Sequence, residues 1–91
     1  MSKAQKQHYN RVAELGCCLC RHALGMPGTP AEIHHIRKAG RRNDAPVIPL
    51  CPEHHRGNTG IHGLGAKGFL RMWGKSEDDL LALTLNDLHK C

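Results

Sequence analysis

Two pairs of metal-ligand type constrain what this chain can fold into more than any other feature. Cys17 and Cys20 stand in C-x-x-C spacing, and Cys51 and His54 repeat that spacing with histidine in the last place. Two side chains three residues apart on one tight turn reach the same tetrahedral ion, and two such turns supply the four ligands of a structural Cys3His zinc site. A thioredoxin-like redox role for Cys17 and Cys20 is the rival reading, but it leaves Cys51 and His54 without a task. Cys18 can replace Cys17 only by leaving an unusually tight C-x-C pair, so it is read as a small buried hydrophobe. The terminal Cys91 is assigned no role.

A staple of this kind matters because 91 residues lie near the lower edge of what an unaided hydrophobic core can hold together. The chain has one Phe, one Tyr and one Trp against ten Gly and five Pro. Most of those glycines and prolines fall between residues 25 and 68, which leaves little apolar mass in the middle. Residues 1 to 25 show no succession of basic, apolar and small segments, and no run approaches the roughly 18 apolar residues of a membrane span. The expectation is a soluble, cytoplasmic chain without a membrane partner, where an odd number of cysteines, five, favours metal ligation over disulfides. A formal charge of +5 and a pI near 9.2 favour an anionic partner such as nucleic acid.

Five of the eight histidines fall between Glu32 and His62: the pair His34-His35, the pair His54-His55, and His62. Neutral imidazole is the commonest ligand for late transition metals and the side chain best suited to act as a general base near neutral pH, so such clustering allows both tasks in one small site. Solvated surface histidines are the plain alternative.

Helical spacing predicts a helix over residues 2 to 15, with Ser2 as N-cap, a stripe of Ala4, His8, Val12 and Leu15 that Tyr9 can join, and Gly16 in the left-handed position after it. His8 is read as an ordinary helix-face residue. Residues 21 to 31 read as a loop, residues 31 to 36 and 47 to 50 as two strands joined by the basic turn from Arg37 to Asp44, and residues 51 to 62 as a turn into a short helix or irregular segment. Beyond it, Phe69, Leu70, Met72 and Trp73 form an apolar stripe, and Ser76-x-x-Asp79 has the form of a capping box. Leu81, Leu85 and Leu88 then line one face of a last helix, broadened by Leu80 and Leu83. The predicted fold is α+β. One domain spans residues 1 to 91, with an N-terminal helix over 1 to 16, a zinc knuckle with a strand-strand-helix core over 17 to 62, and C-terminal helices over 66 to 91.

These residues carry a resemblance. The order of elements is similar to that of the HNH, or ββα-metal, nuclease superfamily, so that a zinc-stapled ββα-metal domain flanked by helices is implied. The segments GCCLCR, PAEIHHIRKAG, IPLCPEHH and GIH, with the later WGKSEDDLLA, resemble the Ref family of phage-borne recombination-enhancement nucleases, whose activity depends on the RecA recombinase of the bacterial host. The resemblance implies a metal-dependent DNA endonuclease that leaves 5′-phosphate and 3′-hydroxyl ends. It makes His34 a ligand of a catalytic divalent cation (Mg2+, Mn2+ or Zn2+), His35 the general base, and His55 and His62 further ligands. Adjacent strand residues point to opposite faces, so a division of His34 and His35 into ligand and base is also the less strained arrangement.

The family pattern places an asparagine a few residues before the zinc-binding cysteine to orient the base, and here that position is Pro46. Asp44 is the nearest replacement and Asn43 the second; a turn residue capping the loop is the plain reading of either. Arg37, Lys38, Arg41 and Arg42 cluster beside the proposed base and are read as phosphate contacts, whereas Lys67, Arg71 and Lys75 are read as a solvated helix face. The partners so implied are DNA and a RecA filament. A catalytically inactive, zinc-stabilised DNA-binding module is the alternative from another class, and the histidines in excess of a structural site argue against it. A metal- or redox-sensing protein is a third.

Overall fold

The computed structural model describes residues 2–36 and 45–90. Arg37, Lys38, Arg41 and Arg42, read above as phosphate contacts, lie outside the described residues, as do Asn43, Asp44 and Cys91. The described residues form a small mixed α+β fold: α1 (Lys3–Glu14), α2 (Cys18–Ala23), β1 (Glu32–His35), β2 (Val47–Leu50), α3 (Pro52–Arg56), α4 (Ile61–Trp73) and α5 (Glu77–Lys90).

Helix α1 starts where the sequence predicts: the Ser2 hydroxyl accepts the Gln5 N–H at 3.1 Å, satisfying one of the orphan donors of the first turn. Its inward face differs from the expected stripe. Val12 and Leu15 are buried and Tyr9 half-buried as expected, but Ala4 and His8 are exposed and Gln5 turns inward in their place. The Tyr9 ring lies edge-on to His35 with centroids 5.5 Å apart, so the helix turns its one large aromatic toward the sheet. The chain leaves the helix through Gly16 at φ +80°, and a Cβ there would stand 3.1 Å from the Gly28 backbone. Glycine therefore meets both the left-handed backbone and the close approach.

The tight turn expected at Cys17–Cys20 and the start of the expected loop are a helix instead. Cys17 caps α2 by accepting the Cys20 N–H on its sulfur at 3.4 Å, and α2 continues to Ala23 because Leu19 is wholly buried and anchors it. Strands β1 and β2 pair antiparallel with Glu32 opposite Leu50, Ile33 opposite Pro49, His34 opposite Ile48 and His35 opposite Val47. Pro49 has no N–H to give, which a two-stranded ribbon tolerates because one side of each strand is unpaired.

After Pro52 at the first turn of α3 the chain bends into α4, which begins at Ile61, earlier than the expected C-terminal helices, and kinks at Gly65. His62 therefore belongs to the first turn of α4. The bend is glycine-dependent: a Cβ on Gly60 would meet the Glu53 carbonyl oxygen at 2.6 Å, and one on Gly63 would overlap the Gly57 carbonyl. Only bare backbone lets α4 approach α3 this closely.

The capping box of α5 forms as expected, with the Ser76 N–H on Asp79 Oδ2 at 2.9 Å and the Asp79 N–H on Ser76 Oγ at 3.1 Å. The helix is rotated relative to the predicted leucine face, however. Leu80, Thr84 and Asp87 are buried, while Leu85 is 53% exposed. Two polar residues can occupy that face because each is paired: Thr84 Oγ1 donates to the Leu80 carbonyl at 2.8 Å, and Asp87 Oδ2 meets His22 Nε2 at 2.8 Å. The α4 stripe divides similarly, with Phe69 buried and Leu70 and Met72 exposed. The core is then Leu19, Ile48, Leu50, Phe69 and Leu80, joined by Cys17, Cys18, Cys20, Ile36, Cys51 and Ile61.

Candidate functional site

Cys17, Cys20, Cys51 and His54 converge in the core, all four buried. Cys17 is the N-cap of α2 and Cys51 the N-cap of α3, so each pair comes from one helix start and its first turn. His54 Nδ1 lies 3.2 Å from Cys51 Sγ, 3.5 Å from Cys20 Sγ and 3.7 Å from Cys17 Sγ, and Cys20 Sγ lies 3.9 Å from Cys51 Sγ. Zinc bond lengths of about 2.3 Å to sulfur and 2.0–2.1 Å to nitrogen set tetrahedral edges of about 3.8 Å between sulfurs and about 3.5 Å between sulfur and nitrogen. The four donors match that frame and can hold a structural zinc ion.

The His54 ring is held from its other side by Trp73, edge-on with centroids 5.2 Å apart, and the Trp73 indole N–H is tied to the Thr59 carbonyl at 3.0 Å. Burial pushes the Cys17 and Cys51 thiols up from their ordinary pKa, a cost that a bound cation reverses by taking thiolates as ligands. Cys18 stays outside the group. Burial pushes its thiol up to about 11, and its sulfur donates to the Leu80 carbonyl at 3.6 Å, so it behaves as the small buried hydrophobe expected.

A second group lies across α3 from the first. His34 from β1, His55 from α3 and His62 from α4 place donor nitrogens within 4.8 Å of one another. Their ring centroids stand 5.1 Å apart for His34 and His55, 5.2 Å for His34 and His62, and 4.8 Å for His55 and His62. His54 and His55 are consecutive and serve different groups, so α3 divides the two. Burial pulls His34 below the ordinary histidine pKa, and the neighbouring His55 and His62 act the same way against the opposing pull of Glu77. The neutral imidazole so favoured is the form that binds cations.

The three rings border an open pocket of about 250 Å³ whose other lining residues are Ile33 and His35. His35 stands outside the three-histidine group but shares its pocket, so neighbours on one strand serve the same opening from different positions. The Tyr9 ring against His35 connects α1 to that wall.

Sequence reasoning missed two carboxylates. Glu77 Oε2 meets His34 Nε2 at 2.7 Å, and Glu32 Oε1 meets His55 Nδ1 at 3.0 Å. Glu77 carries no local signal beyond its place in the first turn of α5. Glu32 lies two residues before His34 on the same strand, and this proximity was the one available hint.

A two-stranded ribbon with a buried Cys3His group on one side of α3 and an open three-histidine pocket on the other defines a small α+β protein built around two clusters of metal-ligand type. A family model described as recombination enhancement, RecA-dependent nuclease matches residues 2–85, and the chain belongs to that family. Membership supports a nuclease role and implies the involvement of DNA and RecA. No curated protein matches the chain. No helix among the described residues is long and apolar enough to cross a membrane.

Proposed function

We propose that this chain is a metal-dependent DNA endonuclease of the HNH, or ββα-metal, type, a single nuclease domain of phage or prophage derivation that acts in the bacterial cytoplasm and is directed to its substrate by a RecA filament. The observation that carries this reading is the convergence of His34, His55 and His62 beside His35 in one open pocket. A structural site needs none of these four residues, whereas cation-assisted hydrolysis of a phosphodiester uses both a metal site and a base.

In this reading Cys17, Cys20, Cys51 and His54 hold the structural zinc, and His34, His55 and His62 hold the catalytic cation. When bound, that divalent cation supplies Lewis-acid polarisation of the phosphate and neutralises charge on the departing 3′ oxygen. Three imidazole donors suit Zn2+ better than Mg2+ or Mn2+, which prefer carboxylate, carbonyl and water oxygens. His35, set on the pocket wall outside the ligand group, takes the proton from the attacking water. The edge of the Tyr9 ring restrains the His35 ring, and Asp44 or Asn43 orients it by accepting its remaining N–H. The products are a 5′-phosphate and a 3′-hydroxyl.

Arg37, Lys38, Arg41 and Arg42 bind backbone phosphates beside the base. Binding therefore weakens with salt, and an Arg41→Ala, Arg42→Ala double variant flattens the log–log slope by about 0.7–0.9 for each phosphate no longer neutralised. Fluorescence anisotropy across a salt series measures this, and an unaltered slope returns both residues to the solvated surface.

Direction by a filament follows from size as well as family. A specific DNA interface usually buries about 1,000 Å² or more and places an element in a groove, and α3, the helix beside the pocket, has only five residues, Pro52–Arg56. Position must come from a partner that holds one strand opened against another. The test is metal-dependent cleavage of a homologous duplex with and without RecA, nucleotide and a matching oligonucleotide. Faster cleavage with the filament is expected, and equal rates would leave a free-standing nuclease.

A further inference from the structure

The histidine pocket has an outer layer made by residues far apart in the chain. On one side, Glu32 Oε1 stands 3.0 Å from His55 Nδ1. The carboxylate is itself clamped by Arg56, whose Nε lies 3.1 Å from Oε1 and whose Nη2 lies 2.6 Å from Oε2. On the other side, Glu77 Oε2 stands 2.7 Å from His34 Nε2. Neither carboxylate belongs to the group of donors lying within 4.8 Å of one another, so each touches the centre through a single histidine. Both histidines have one ring nitrogen committed to a carboxylate, while their rings close on each other and on His62 at 4.8–5.2 Å.

We infer that Glu32 and Glu77 are the positioning carboxylates of this centre: each accepts the ring N–H of one histidine and thereby makes His55 offer Nε2, and His34 offer Nδ1, to a divalent transition-metal cation. The inference rests on the cation-binding reading given above and adds the tautomers, the ligating atoms and the residues that impose them. A neutral imidazole has one N–H and one lone pair, so anchoring the N–H fixes which nitrogen faces the ion and holds the ring against rotation. An ordinary stabilising ion pair would not require two histidines of one cluster each to be gripped on one nitrogen by its own carboxylate.

The geometry also gives α5 a task beyond packing. Glu77 follows the capping residue Ser76 in sequence, and the reciprocal hydrogen bonds of Ser76 and Asp79 with the burial of Leu80 hold the helix start that carries it. The C-terminal helix thus sets the ring that β1 presents.

The test is a cobalt(II) titration of the full chain with zinc retained in the cysteine site, followed by visible absorption and calorimetry. Glu77→Gln and Glu32→Gln preserve size and are expected to weaken cobalt binding about 10- to 100-fold and to alter the d–d spectrum, with zinc content and circular dichroism unchanged. Asp87→Asn, which loosens the same helix at its His22 contact without touching the histidine pocket or the helix start, is expected to lower thermal stability while leaving the cobalt affinity and spectrum as they were. Wild-type affinity and spectrum in both glutamine variants would overturn the positioning role and leave the cation reading intact. A wild-type chain that takes up no more cobalt than His34→Ala would overturn the cation reading itself, and this inference with it. Should Glu77→Gln fail to fold, Glu32→Gln, on a carboxylate at the rim, decides by the same readouts.

Discussion

A Cys51→Ser chain is expected to be unfolded at room temperature, with no bound zinc and no cleavage. Structural zinc in small domains contributes about 10–16 kcal/mol in apparent binding free energy, whereas the whole stability of a domain this size is about 0.05–0.15 kcal/mol per residue. Cys51 is the N-cap of α3, and its sulfur is the nearest of the three to His54 Nδ1, at 3.2 Å. Its removal leaves three buried donors without their fourth ligand and unties from them the helix that carries His54 and His55. Both clusters therefore fail together. Far-ultraviolet circular dichroism and zinc analysis check this, and a folded, active Cys51→Ser protein without zinc would remove Cys17, Cys20, Cys51 and His54 as the staple.

His35→Ala is expected to act in the opposite way, abolishing chemistry while sparing structure. The ring touches Tyr9 at the pocket wall and belongs to neither donor group, so zinc content, helix content and DNA affinity should match the wild type. Cleavage should fall by about 10²–10⁴-fold, the usual contribution of a general base. A nicking assay under saturating metal is the measurement, and an unchanged rate would end the assignment of His35 as base. A wild-type chain that cleaves nothing with any divalent metal or with a RecA filament would instead favour a zinc-stabilised module that only binds DNA.

Legibility in the sequence followed the range of the interactions. The pairs Cys17–Cys20 and Cys51–His54 were readable because a spacing of three residues at a helix start brings two donors to one point, whatever surrounds it. Ser2, Gly16 and the Ser76–Asp79 box were readable for the same reason, since a cap is decided within one turn. The short strands before and after the basic turn were also visible, as was the α+β class they imply. Helix α2 was not, because six residues from Cys18 to Ala23 span fewer than two turns, too short for a repeating pattern to show, and the burial of Cys18, Leu19 and Cys20 holds them in place.

Rotation of the helices about their axes was likewise hidden. Helix α5 has leucines at 80, 81, 83, 85 and 88, and periodicity alone does not choose among faces that are all partly apolar. The choice fell on the one that includes Thr84 and Asp87, because His22, far away in sequence, supplies a partner for Asp87. A reading by hydrophobicity necessarily avoids such a face.

By itself, then, the sequence determined the local chemistry: which residues can ligate, and where the capped helices α1 and α5 begin. Tertiary structure decided which of those residues share a centre. His34, His55 and His62 meet because α3 packs on β1 and α4 folds back on α3 over bare backbone at Gly60 and Gly63, and Glu77 reaches His34 only because Leu80 buries the start of α5. The physical reason is distance along the chain. A contact between neighbours is fixed by bond geometry, whereas a contact between distant residues exists only after packing has selected one face of each element.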